Sequence, residues 1–194
     1  MDDGEFETFL TVRTSYATKT KLKEKKMKRT KSTASILFVT RAAVIGAMYI
    51  ALTYLSNLFG LASGVIQLRL SEALLIMPVF FVEAIPGLYV GCILSNILTG
   101  CAPWDIVFGS LATLIGALLA YALRNLPKKL IFLATVPNIL SNTAIVPFIL
   151  AYVYGAEESL LFIAVTVAIG EIIACGVFGT MLYYPVSKMK KYIK

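Results

Sequence analysis

An all-α membrane protein is predicted, with six transmembrane helices and both termini cytoplasmic, and three observations predict it. The 194 residues are 58% hydrophobic and 15% charged, with a mean hydropathy of +0.81, whereas a soluble domain runs about 45–50% apolar and about 25% charged. Six apolar stretches follow one another, each close to the roughly 20 residues that cross a bilayer. Lys and Arg gather in alternate connections, as the positive-inside rule requires.

The first stretch, 35–58, carries Ala43, Ala47 and Ala51. Their spacing of four places them on one helix face as a smooth stripe. Gly60 and Gly64 then break the chain. The second stretch, 66–82, is short and diluted by Gln67, Arg69, Ser71 and Glu72. The third, 85–101, opens at Pro86, where a missing N–H does no harm. Pro103 precedes the fourth, 104–124, whose row Ala112, Gly116, Ala120 is expected to pack inside the bundle. Pro127 separates it from the fifth, 130–154, in which Pro137 and Pro147 predict kinks. Gly155 leads to the sixth, 159–185.

The net charge of +7 belongs to the tails. Residues 1–41 carry +5, residues 42–187 carry −2 and residues 188–194 carry +4. This divides the chain into a basic cytoplasmic segment (1–34), a membrane domain (35–187) and a basic cytoplasmic tail (188–194). Six spans put the basic run 19–31, the 124–129 loop and the final lysines on one side. The connections 59–65, 101–104 and 157–158, with no Lys or Arg, fall on the other. Five or seven spans spoil that segregation. Basic tails beside membrane spans set orientation and meet anionic lipid, so a lipid bilayer is the expected partner and nucleic acid is not.

Several chemistries are excluded. There is no histidine, which removes a histidine metal site, a Ser-His-Asp triad and a histidine proton relay. Cys92, Cys101 and Cys175 lack C-x-x-C spacing and lie among apolar or small residues, so they read as packing residues. No G-x-x-x-x-G-K-[ST] loop is present, and any use of ATP calls for another chain. Paired carboxylates alone are a thin basis for an intramembrane enzyme. No catalytic residue, metal or cofactor is expected.

Ionisable groups near the bilayer centre cost at least about 2.5–3.5 kcal/mol each and tend to mark a substrate or ion path. At about 1.5 Å per residue, Glu171 and Asn142 both lie roughly 18 Å from the outer face. Asn138 is one turn deeper than Asn142 on the same helix face. Gln67, Arg69 and Glu72 occupy the outer turns of the second span, Asn96 the outer end of the third, and Trp104 and Asp105 the start of the fourth. Together they describe a funnel from the outer surface to mid-membrane. Simpler roles exist for most of them. Arg69 and Glu72 can neutralise each other, and Asn138 and Asn142 can be interhelical glue or satisfy a carbonyl freed at a proline kink. Asp105 can be a helix cap. Glu171 has no basic residue within a turn, which makes structural neutralisation harder. Glu83, at the inner rim, reads as an interface residue. Carboxylates and amides suit a ligand rich in N–H donors or a cation, and Trp104, Phe108, Tyr152 and Tyr154 near the mouth offer stacking surfaces for a flat ring.

Three strings, Gln67-Leu-Arg-Leu-Ser-Glu-Ala-Leu74, Ala84-Ile-Pro-Gly87 with Gly91, Ser95 and Asn96, and Asp105-Ile-Val-Phe-Gly-Ser-Leu-Ala-Thr113, resemble the queuosine-precursor transporter (QueT) family over roughly residues 36–187. That family consists of substrate-binding S components of energy-coupling factor (ECF) transporters. The resemblance implies a six-helix, multi-pass subunit of the cell membrane that captures a pre-queuosine deazaguanine base at its outer face. It also implies work with a transmembrane coupling subunit and two cytoplasmic ATPases. The funnel residues Glu171, Glu72, Arg69, Asn138, Asn142, Asp105, Asn96, Gln67 and Trp104 are the expected substrate-binding residues. Ala43, Ala47 and Ala51 would form the stripe that docks on the coupling subunit, intramolecular packing being the plainer role. Two rivals differ in kind: a self-sufficient proton- or sodium-coupled secondary transporter of a small nitrogenous solute, and a binding-only membrane scaffold subunit.

Residues 1–26 have no counterpart in the resemblance, and Met27-Lys28-Arg29 reads as a natural start for this topology. The apolar run near Ser35 is too long for a cleaved signal. A chain beginning at Met27 is therefore expected to keep full solute uptake in cells; loss of uptake would give the first 26 residues a function.

Overall fold

In the computed structural model the structure describes residues 32–61 and 67–193, with side chains through 189. The basic run 19–31 and the segment 1–26 lie outside the described residues. The described chain is helical. Helix α1 is Ser32–Leu58, followed by a 3₁₀ segment Leu70–Val79, α2 Ala84–Leu98, α3 Pro103–Ala122, a second 3₁₀ segment Lys128–Ala134, α4 Val136–Tyr152, α5 Leu160–Glu171, a π-helical segment Ile172–Gly179 and α6 Thr180–Ile193. Four stretches are long and apolar enough to cross a membrane: Ser32–Leu58, Pro103–Ala122, Lys128–Tyr152 and Leu160–Met189. Leu70–Val79 and Ala84–Leu98 are shorter apolar helices.

The second expected span is not an α-helix. Leu70–Val79 is wound as a 3₁₀ helix with Pro78 inside it. Ten residues are a long run for this geometry. They are held by burial on nearly every side, with Glu72, Leu74, Leu75, Ile76 and Val79 all buried. At about 2.0 Å per residue the segment reaches about 20 Å, further than ten α-helical residues would. The fifth span is also subdivided, 3₁₀ through Ala134 and α from Val136. Pro137 has no N–H to continue an α-helical ladder back into the preceding turn.

Helix ends follow local chemistry. Pro103 starts α3 at a position where its missing donor is harmless. The Ser159 side chain accepts from Phe162 N at 3.3 Å and caps α5. Gly100 and Gly155, with φ of 73° and 68°, turn the chain after α2 and α4.

Residues 32–40 are helical and exposed throughout. From Arg41 onward α1 presents two faces. Ile45, Tyr49, Thr53 and Ser56 are buried, while Ala43, Ala47 and Ala51 are exposed. The buried face meets α2 at glycines. A Cβ added at Gly87 would stand 2.5 Å from the Ala42 carbonyl oxygen, and one at Gly46 would stand 2.9 Å from that of Gly87. Only backbone without side chains permits this approach. Ala112, Gly116 and Ala120 on α3 are buried, as expected for a row packed within the bundle. Two apolar clusters hold the interior, one around Tyr49, Leu74, Leu75, Leu88 and Cys175, the other around Ile76, Val79, Ile131 and Tyr183. Outside them, large apolar side chains stay exposed, Leu161 at 75% and Leu140 at 63% among them. Surfaces this apolar are the rule against lipid and rare against water.

Candidate functional site

Glu72 reaches the bundle interior because the 3₁₀ segment carries it inward from Arg69. It is 2% exposed, Glu171 is 9% and Asn138 is 0%. Tyr49 donates to Glu72 Oε1 at 2.5 Å. Asn138 Nδ2 donates both to Glu72 Oε2 at 3.0 Å and to Glu171 Oε2 at 3.2 Å. Asn142 donates to Glu171 Oε1 at 3.0 Å. Four carboxylate oxygens from two distant segments thus each receive one donor, and one asparagine joins the two acids. The π-helical turns begin directly after Glu171, a distortion often found beside functional residues.

These partners bear on the simpler roles: the bonds of Asn138 and Asn142 to Glu72 and Glu171 are interhelical, as a structural role requires. Arg69 makes no ion pair with Glu72 among the described residues; its Nη2 lies 3.9 Å from Asp105 Oδ2. Asn138 spends its amide protons on the two acids and not on a carbonyl freed by Pro137. Asp105 sits in the first turn of α3, yet the helix has no side-chain cap bond. The carboxylate instead accepts from Tyr154 O–H at 3.0 Å, while Tyr154 accepts from Ala102 N at 2.9 Å. Glu83 pairs with Arg41 at 3.1 Å, well away from this group in sequence and partners.

Two cavities adjoin the network. The larger, about 340 Å³, is a vestibule bounded in part by Gln67, Arg69, Asn96, Cys101, Asp105 and Tyr154. Its volume falls in the range of small-molecule sites, about 300–1,000 Å³. One helical turn further along α4 lies an inner chamber of about 20 Å³, reached by Gln67, Arg69, Glu72, Thr113, Asn142 and Glu171. Arg69 and Gln67 line both. Eight of the nine expected binding residues therefore belong to one connected region, Asn138 through its bonds to the acids and the rest as lining.

Trp104 is the exception. It is 61% exposed, stacks on Phe108 with ring centroids 5.9 Å apart, and lines an apolar groove with Phe148 and Tyr152 on the bundle's outside. The start of α3 turns Asp105 inward, so its neighbour Trp104 must point away. Of the four aromatic residues expected at the mouth, only Tyr154 lines the vestibule. Tyr49 was not among the expected site residues. Its only signal was its place on the face of α1 opposite the alanine stripe.

The family model described as QueT transporter matches residues 39–188. The chain belongs to the QueT transporter family. A protein named Queuosine precursor transporter QueT, from Lactococcus lactis subsp. cremoris (strain MG1363), is 33% identical over 78 residues, which is 40% of this chain and 45% of that protein. The chain thus spans less than half the length of that relative. No solved structure matches. Within the matched region of this QueT-family chain lie every residue of the carboxylate network and both cavities.

The network depends on Gly116. A Cβ there would come within 2.9 Å of both Cα and Cβ of Asn138. Gly116→Ala is expected to push Asn138 off both acids and lower the melting temperature. The cost should be about 1–3 kcal/mol, the usual price of overpacking a close contact. A melting temperature equal to wild type would mean the bundle relaxes and the asparagine bridge is not rigid.

Proposed function

We propose that this chain is the substrate-capture subunit of an ATP-driven ECF-type importer and binds a pre-queuosine deazaguanine base. The observation that carries the reading is the buried Glu72–Asn138–Glu171–Asn142 network beneath a cavity of small-molecule size. Two acids kept within an apolar bundle supply acceptors for the amine and ring N–H groups of a deazaguanine, and Arg69 supplies a donor for its carbonyl. Family membership and the name of the Lactococcus lactis relative support the choice of base. The chain acts as a binder, and a transmembrane coupling subunit with two cytoplasmic ATPases supplies the energy.

In this reading the protein crosses the cell membrane six times with both termini cytoplasmic. The segregation of Lys and Arg supports both the span count and the orientation. Ala43, Ala47 and Ala51 dock on the coupling subunit; their exposure, on the face of α1 opposite its packed residues, supports that role over intramolecular packing.

Two measurements test this. Glu171→Gln and Glu72→Gln are expected to weaken calorimetric binding of a pre-queuosine base about ten- to a hundred-fold, the worth of one hydrogen bond to a charged group. Unchanged affinity in both variants would remove the acids from the site. Ala47→Trp is expected to abolish uptake in cells carrying the whole complex while the isolated subunit still binds the base. Loss of both would make the stripe internal packing. Loss of neither, with gradient-driven uptake by the lone protein in liposomes, would establish a secondary transporter instead.

A further inference from the structure

Helices α3 and α4 also border an apolar groove of about 410 Å³ on the outside of the bundle, apart from the polar region. Each helix supplies one wall of stacked rings. Trp104 lies on Phe108 with centroids 5.9 Å apart and an interplanar angle of 20°, and Phe148 on Tyr152 at 6.3 Å and 9°. Both pairs are spaced four apart, so each runs along its own helix. Ala144 and Ile145 continue the lining on α4 beyond Phe148. Trp104, Phe148 and Tyr152 are 61%, 50% and 78% exposed, and none of the described lining residues is charged.

Length, polarity and shape together point to the occupant. On α4 the lining runs from Ala144 to Tyr152, about 12 Å at about 1.5 Å per residue. One leaflet's share of a roughly 30 Å hydrocarbon core is about 15 Å, so the groove follows most of a lipid tail. The residues with polar ring tips, Trp104 and Tyr152, stand at one end, where α3 starts and α4 finishes. The Tyr154 hydroxyl accepts from Ala102 N at 2.9 Å and holds those two ends together. Trp and Tyr are enriched at headgroup level, and Phe108 and Phe148 lie one turn deeper, at the level of the tails. A partner helix is a poorer match. Helices associate in lipid through small residues and shared hydrogen bonds, which the alanine row of α1 resembles and this ring-walled groove does not. A flexible hydrocarbon chain instead gains many small dispersion contacts from flat ring faces. The connections 99–104 and 153–158 carry no Lys or Arg, so no cation there selects an anionic headgroup.

We propose that this groove is a lipid site that holds one acyl chain of a phospholipid, recognised by its chain and not by its headgroup. Its assignment to the outer leaflet rests on the proposed orientation; the occupant does not. Trp104 is thereby a lipid contact and not a solute contact. Ile149, 5% exposed, borders both the groove and the vestibule, so the bound chain lies against the far side of a vestibule wall.

Trp104 is the sole tryptophan, and bromine quenches indole fluorescence on contact. The purified full chain in mixed micelles is titrated with phosphatidylcholine brominated on its acyl chain. Phosphatidylglycerol and a free fatty acid with the same brominated chain form separate arms. Quenching is expected to saturate at a single phospholipid per chain, at equal concentrations for both headgroups. Ala144→Phe, which fills the groove beyond the ring pair, should raise the half-quenching concentration several-fold. Phe148→Ala, which removes part of one wall, should raise it as well. Leu140→Phe, at a 63% exposed position of α4 outside the groove, should leave it unchanged. Quenching that rises linearly with the brominated fraction, alike in all four proteins, overturns the proposal and makes the groove ordinary lipid-facing surface. Saturation by phosphatidylglycerol alone, or by the free fatty acid alone, also overturns it. A dimer in light scattering that Ala144→Phe dissociates gives the groove to a second copy and overturns it too.

Discussion

Two carboxylates set inside a bundle of apolar helices must be given donors by the protein itself, and Asn138 meets much of that demand. One amide nitrogen bridges Glu72 and Glu171, 66 and 33 residues away in sequence. Burying an unpaired charge costs several kcal/mol, so α4, α5 and the 3₁₀ segment cannot shift independently without stranding an acid. The π-helical turns after Glu171 and the 3₁₀ winding after Arg69 flank this bridge from both sides.

Glycine makes the bridge possible. Gly116 on α3 leaves room for the backbone and side chain of Asn138. Gly46, Gly87 and Gly91 let α1 and α2 approach at backbone distance, which brings Tyr49 over Glu72. Packing of this kind substitutes for the hydrophobic drive that lipid does not provide between helices. The same helix α1 thus serves two surfaces. Its packed face donates hydrogen bonds to the 3₁₀ segment through Tyr49 and Thr53, and its other face exposes an alanine row.

The polar region is graded along the bundle. Near the ends of α2 and α4 it is open, with an ion pair of 3.9 Å whose Arg69 side chain is 20% exposed. One turn deeper it closes to a chamber the size of a water molecule, with every acid oxygen engaged. Arg69, which lines both cavities, stands at the change.

The positions of the apolar stretches, the breakers between them and the clustering of polar residues at one end were legible in the sequence, because hydropathy and proline or glycine placement act locally. So was the need of Glu171 for partners from other helices, since no basic residue lies within a turn on its own. The partners were not. Arg69 and Glu72 stand three apart, yet Arg69 faces Asp105 and Glu72 faces Tyr49 and Asn138, choices made by which helices lie on either side. Trp104 and Asp105 are adjacent, and only the entry angle of α3 decided that one meets the bundle exterior and the other the vestibule. The winding of Leu70–Val79 as 3₁₀ rather than α likewise came from burial on nearly all its sides. Local composition determined where the chain can enter a membrane; the long-range packing of helices decided which polar groups meet, because hydrogen bonds between spans depend on rotation and depth that no single span encodes.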